Sequence, residues 1–361
     1  MKNIHLAVLA MTSGIGHTKL RNLINHFGNV ETLWEASANE LMTVEGIGEQ
    51  LSHNLVRNIK CTDIEKLALK YEKLGIKIVS LGDDDYPYLL SQTYNPPALL
   101  YYRGELPSHE RMVAIVGSRR ATAYGRNVCQ MLASDLAGAG VGIVSGAARG
   151  IDSSAHLGAL EKGYTIAVLA NGVDISYPPE NGRLLSRIIE NGAVVSEYPP
   201  GTKPQPGQFP ARNRIINGLA RGVLVIEAAE RSGALITVDF ALEEGRDIFA
   251  VPGSILSEAS KGTNRLIKQG AKLVDCAGDI LDEYGWSAET QQKSNFELSA
   301  EEKTVLISLP YDAPVTLDEI IETTQLPIST VTYILIQLEF QGLITESGGQ
   351  KFLRTAKGGF R

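Results

Sequence analysis

Between Val113 and Val274, short apolar runs rich in β-branched residues recur, and the residues between successive runs fall at helical spacing. This alternation constrains the fold more than any other feature of the chain. Strands that are apolar on both sides must be covered on both sides, so their connections carry helices and the strands run parallel. The runs predict strands at 113–116, 142–145, 165–169, 193–196, 223–227 and 248–251, with a last one at 272–274. The expected fold class is α/β: a Rossmann-like, doubly wound, mostly parallel sheet with right-handed crossovers and every strand C-terminal end along one edge.

Ligands of such sheets bind in the loops along that edge. The first loop is Gly117-Ser118-Arg119, where a glycine admits close backbone approach, the following helix start offers free amides, and arginine supplies a bidentate fork. Later loops add Gly146, Arg149 and Gly150, and then Lys203 and Phe209, which lead into Arg212-Asn213-Arg214 at a helix start. Ser118, Ser232 and Gly233 add hydroxyl and amide donors. A basic groove with an aromatic surface is what single-stranded DNA requires. Arg119 is the leading phosphate clamp, the alternative being an ion pair with Glu197 or Glu227. Asp152 stands near enough in sequence to neutralise Arg149, and one of Arg212 and Arg214 can be structural. Phe209 fits either a stacked base or an anchor between proline-rich turns.

The flanks read differently. Residues 1–75 predict a helical, helix-hairpin-helix (SAM-like) module, with tight turns at Gly14-Ile15-Gly16 and Gly46-Ile47-Gly48. Residues 76–286 form the extended core, including a proline-rich connector from Asp83 to Arg103 with an edge strand, and 287–298 read as a polar linker. Residues 299–361 carry three helical patterns and a hairpin around Gly348-Gly349, a winged helix. Its third helical pattern, 328–341, has no Lys or Arg, and the segment holds 5 basic against 8 acidic residues. That favours a protein partner over the major groove. The whole chain carries a formal charge of −7, which excludes indiscriminate polyanion binding. From Val113 to Asp275, however, 17 basic residues face 15 acidic ones, so any anion site is local. The three cysteines, Cys61, Cys129 and Cys276, form no CxxC pair, which points to a reducing cytoplasm without disulfides or a metal site. No apolar run is long enough to span a membrane.

The core motifs occur in order: Gly117-Ser118-Arg119, Arg149-Gly150-Ile151-Asp152 with His156, Tyr177-Pro178-Pro179-Glu180-Asn181, Ser196 through Gly201, Phe209-Pro210-Ala211-Arg212-Asn213-Arg214 and Val251-Pro252-Gly253. Together they resemble the DNA-processing protein A family, also called Smf, and the two flanking modules are similar to additions found there. The resemblance implies a single-stranded DNA-binding protein that protects incoming strands and loads the RecA recombinase in natural transformation. It also implies a homodimer through the Rossmann-like core, no nucleotide hydrolysis and no cofactor. Arg119 matches the family's Gly-Ser-Arg arginine.

The competing class is an enzyme. The core is also similar to nucleotide phosphoribohydrolases, whose Pro-Gly-Gly-x-Gly-Thr loop and following glutamate cradle a nucleotide. Here the comparable stretch is Arg231 through Thr237, and Phe240 replaces the glutamate. A dinucleotide site is excluded by the absence of GxGxxG after the first strand and by Ser145 where an acid is needed. His156 and Asp152 lie together without a nucleophile, and Asp152 more simply caps the helix after Ile151. No catalytic residue is expected.

Overall fold

The computed structural model describes residues 2–107, 110–286, 298–311 and 313–355. Nine strands form one sheet: β1 (Lys77–Ser80), β2 (Leu99–Gly104), β3 (Met112–Val116), β4 (Gly142–Ser145), β5 (Thr165–Val168), β6 (Gly192–Ser196), β7 (Gly222–Val225), β8 (Asp247–Ala250) and β9 (Lys272–Leu273). Their spatial order is β1-β2-β6-β5-β4-β3-β7-β8-β9. From β6 to β9 every pairing is parallel, as in the register Val113↔Ile143 and Val113↔Gly222. The chain winds outward from β3 through β4, β5 and β6, then returns to the other side of β3 at β7. The switch point therefore lies between the C-terminal ends of β3 and β7.

The period of two along each strand divides the core. Val113 and Ile115 pack with the helices Ala123–Gly138, Ile151–Ala159 and Ala277–Glu283 on one face. Ala114 and Val116 face the helices Gln208–Gly218, Gly233–Glu243 and Lys261–Lys268 on the other. The strand after the proline connector differs from expectation. It is not an edge: β2 is antiparallel to both β1 and β6. Leu99, Leu100 and Tyr101 are buried, and the prolines that discourage pairing, Pro96 and Pro97, lie before the strand rather than in it.

The N-terminal helices do not stand apart from the sheet. Leu9, Leu23, Leu33 and Leu55 share one core with Leu99, Tyr101, Ile188 and Val194. Leu23 is fully buried, worth about 1.5–3 kcal/mol by area removed from water. Ile15 and Ile47 plug the hairpin turns from inside. The helix Glu49–Cys61 ends where Asp63 caps the next, Ile64–Lys73, its carboxylate accepting from the Lys66 amide at 2.9 Å.

The C-terminal segment folds as a winged helix. Helices Ala300–Ser308, Leu317–Thr324 and Ile328–Phe340 pack around Leu306, Ile320, Val331 and Leu338. A small sheet completes it, β10 (Val315–Thr316), β11 (Ile344–Glu346) and β12 (Lys351–Arg354), in the order β10-β12-β11. Of the expected linker, 287–298, residues 287–297 lie outside the described residues, while Leu298 is buried in the core of the winged helix. Among the described residues no helix is long and apolar enough to cross a membrane.

Candidate nucleic-acid interface

At the switch point the turn Gly117 to Thr122 joins β3 to the helix Ala123–Gly138. The amides of such a helix start attract an anion, and here the chain supplies its own. Glu227, at the end of β7 and 2% exposed, accepts from the Thr122 amide at 2.9 Å and from the Thr122 hydroxyl. A Cβ on Gly125 would lie 2.2 Å from the Glu227 carboxyl carbon, so glycine at 125 is what admits the carboxylate. The place where doubly wound folds hold a nucleotide phosphate is thus filled from within.

The same contacts fix the loop that follows β3. The Ser118 amide donates to the Glu227 carbonyl at 2.8 Å, and the Ile151 amide donates to the Ser118 carbonyl at 3.1 Å. Gly150 has φ +77°, and a Cβ there would lie 2.3 Å from that Ser118 carbonyl. Two loops are therefore clamped together, and Arg119 is left exposed on top. Its guanidinium carbon lies 5.5 Å from the ring centroid of Phe209, and the Phe209 ring lies 5.6 Å from that of Tyr177. Both acids weighed as partners for Arg119 are engaged elsewhere: Glu227 as described, Glu197 with Arg214.

Below this rim the remaining charges are committed. Arg212 is 4% exposed and donates to the carbonyls of Gly146, at 2.7 Å, and Val168, joining the ends of β4 and β5. Its Nε donates to Asn213 Oδ1 at 3.1 Å. Burial lowers its pKa to about 10, so it remains cationic at neutral pH. A Cβ on Gly146 would meet that guanidinium at 2.5 Å, which explains the glycine. Arg214 donates to the Asn95 carbonyl at 2.8 Å and pairs with the buried Glu197 carboxylate. Burial, with Arg214 and Arg21, lowers His17 to about 4, so its 3.5 Å approach to Glu197 is a contact of a neutral ring. Arg212 and Arg214 thus both build the floor, whereas the sequence had allowed one of them that role.

Two expectations are corrected. Arg149 is paired with Glu180 rather than Asp152, because its side chain leaves the loop toward solvent. Both members of that pair are exposed, so solvent screens it and a phosphate can exchange for the carboxylate. Asp152 does not cap the helix Ile151–Ala159, whose N-cap Gly150 makes no side-chain bond. Its carboxylate accepts from the Ala148 amide at 3.3 Å, and burial raises its pKa against the pull of Arg212. His156 is wholly buried, 2.7 Å from the Thr165 hydroxyl, and burial lowers its pKa to about 3. It is a neutral core residue.

Among the other predicted residues, Lys203 is exposed on the loop before the Gln208–Gly218 helix. The Ser232 hydroxyl caps the helix Gly233–Glu243 by accepting from Ala234 at 3.3 Å, and nothing lies near a Cβ on Gly233. The sequence reading missed the placement of Tyr177. The available signal was an aromatic followed by proline, Tyr177-Pro178 and Phe209-Pro210, in two loops of one edge.

Fold and rim together define a Rossmann-like core with an arginine-aromatic edge, joined to a winged helix. The family model described as DNA recombination-mediator protein A matches residues 77–285, and that of the DprA winged helix domain matches 289–350. Protein Smf of Synechocystis sp. is 34% identical, over 96% of this chain and 97% of its own. The structure of DNA processing protein A from Streptococcus pneumoniae aligns with a TM-score of 0.68 at 38% identity, covering 78% of this chain and 98% of that one. DNA processing protein A of Helicobacter pylori, whose structure concerns a single-stranded DNA binding mode, aligns at 0.52 and 30% identity, covering 58% and 95%. This chain belongs to the DNA recombination-mediator protein A family, known as DprA or Smf. It is a DNA-processing protein.

Proposed function

We propose that the switch-point edge binds single-stranded DNA and that the protein protects incoming strands and loads the RecA recombinase in natural transformation. The observation that carries the DNA site is the exposed Arg119 over the Phe209 ring, on loops locked by buried hydrogen bonds. Arg119 and Lys203 take phosphates, Arg149 joins them when DNA displaces Glu180, and Phe209 offers a π face to a base. The Gly117-Ser118 and Ser232-Gly233 turns contribute backbone approach and donors, while Gly146, Gly150, Arg212, Asn213 and Arg214 hold the rim in place. RecA loading, homodimer formation through the core and a cytoplasmic location rest on the family resemblance alone.

The enzyme alternative is disfavoured by Phe240, which stands where that class has its glutamate after the Arg231–Thr237 stretch. The deciding measurement is fluorescence anisotropy of a labelled single strand at several salt concentrations, with a duplex competitor. Arg119→Ala is expected to weaken binding by about ten- to a hundredfold and to reduce the salt slope by about one. Equal binding by wild type and variant removes this edge as the DNA site, and release of free base from nucleoside monophosphates establishes the enzyme instead. The winged helix is read as a protein-binding module, because Tyr333, Ile336 and Phe340 are exposed on its third helix.

A further inference from the structure

Tyr177 has no part in the predicted site, yet it sits beside that site with its ring half open and against Phe209. Two tyrosines of the core are anchored through their hydroxyls, Tyr86 to the Pro97 carbonyl at 2.8 Å and Tyr284 to Asp247 at 2.9 Å. Tyr177 is instead 41% exposed, and its support comes from the backbone behind it. The Asn181 amide donates to the Pro178 carbonyl at 3.0 Å, and the Asn181 side chain donates to the Ala147 carbonyl and the Ser153 hydroxyl, both at 2.9 Å. The segment is thereby fixed to the loop that carries Arg149. An aromatic ring on a backbone tied down in this way, resting against Phe209 and left half open, has less conformational entropy to lose on contact than one on a free loop.

The geometry relative to Phe209 defines that contact. The two rings are 5.6 Å apart between centroids and tilted by 47°, too close for a base to enter between them. Tyr177, 41% exposed, can take a base on its outward side, and a base reaches Phe209 once the Arg119 guanidinium swings from that ring to a phosphate. We propose that Tyr177 is a second stacking platform, so that neighbouring bases of one strand lie on Phe209 and Tyr177 while Arg119 holds the phosphate backbone. This rests on the reading of the edge as a single-stranded DNA site. Stacking tolerates any base, so the pair adds affinity without sequence preference.

The test uses the full chain and two fluorescein-labelled strands of equal length, one of thymidines and one of abasic spacers. Tyr177→Leu keeps the bulk and removes the π face. It is expected to weaken binding of the thymidine strand about tenfold, to leave the abasic strand unaffected and to keep the salt slope, whereas Tyr177→Phe stays within about twofold. Arg119→Ala is expected to weaken both strands and flatten the slope. If Tyr177→Leu binds thymidines like wild type, or loses equally on both strands, Tyr177 is only a prop for its neighbour and the proposal fails, while the Arg119 result leaves the site standing. If Arg119→Ala changes nothing, the site itself is refuted and this proposal with it. Should Tyr177→Leu not fold, Tyr177→Trp decides: tighter thymidine binding supports the platform, and unchanged or weaker binding overturns it.

Discussion

The rim and the floor of the same sheet edge are built from the same residue types and use them in opposite ways. On the floor, Arg212 and Arg214 spend their donors on carbonyls and a buried carboxylate, and Glu227 spends its acceptors on Thr122. On the rim, Arg119 faces solvent over an aromatic ring, and Arg149 holds only an exposed partner. Burial makes the difference. A charge removed from water must be fully matched, and once matched it fixes geometry rather than binding a ligand. A charge left in water keeps its donors available. Arginines that look equivalent in a motif such as Arg212-Asn213-Arg214 are therefore not equivalent to Arg119.

Substitution should separate the two layers, and Arg212→Ala has the largest expected effect. It takes a donor from two carbonyls and a neighbouring cation from the buried Asp152, which keeps only weaker partners such as the Ala148 amide, and should cost about 3–5 kcal/mol in chemical denaturation. A cost below about 1 kcal/mol would place Arg212 with the rim. Next is Glu227→Ala, which strands the Thr122 amide and hydroxyl and should cost about 2–3 kcal/mol, with Glu227→Gln recovering part of it. Its DNA affinity should fall too, because the Arg119 loop hangs on the same residue.

Acid sharpens the contrast further. His156 is held to about 3 in the folded protein against 6.5 when unfolded, so below 6.5 the unfolded chain takes up a proton that the folded one refuses. Stability then falls as pH drops through the window from 6.5 toward 3, by up to about 1.4 kcal/mol per pH unit. The difference in denaturation midpoint between wild type and His156→Gln across that window isolates this effect, and a difference that stays constant with pH contradicts it. The smallest expected change is at the rim: Arg119→Ala or Lys203→Ala should move stability by less than about 0.5 kcal/mol while affinity drops. Loss of stability at Arg119 would erase the distinction between the layers.

The winged helix repeats the lesson elsewhere in the chain. Its third helix has the place of a DNA reader, but the exposed face carries Tyr333, Ile336 and Phe340 rather than arginines. Position in a fold does not decide what is bound; side chains do.

Much of the architecture was legible from the residues. The strand runs lie within about two residues of the observed strands because an apolar, β-branched run is buried wherever its neighbours sit. The period of two separates Val113 and Ile115 from Ala114 and Val116, but all four are apolar, and which helices cover each pair came from the tertiary structure. The Gly117-Ser118-Arg119 turn and the absence of basic residues from 328–341 are likewise properties of local sequence. Tertiary structure alone decided which arginine stays in water, that Glu227 fills the helix start from a strand 105 residues away, and that Tyr177 meets Phe209. The physical reason is one of range. Strand and helix patterns are set by neighbours along the chain, whereas burial, charge matching and ring contact depend on residues brought together only when distant loops converge on one edge.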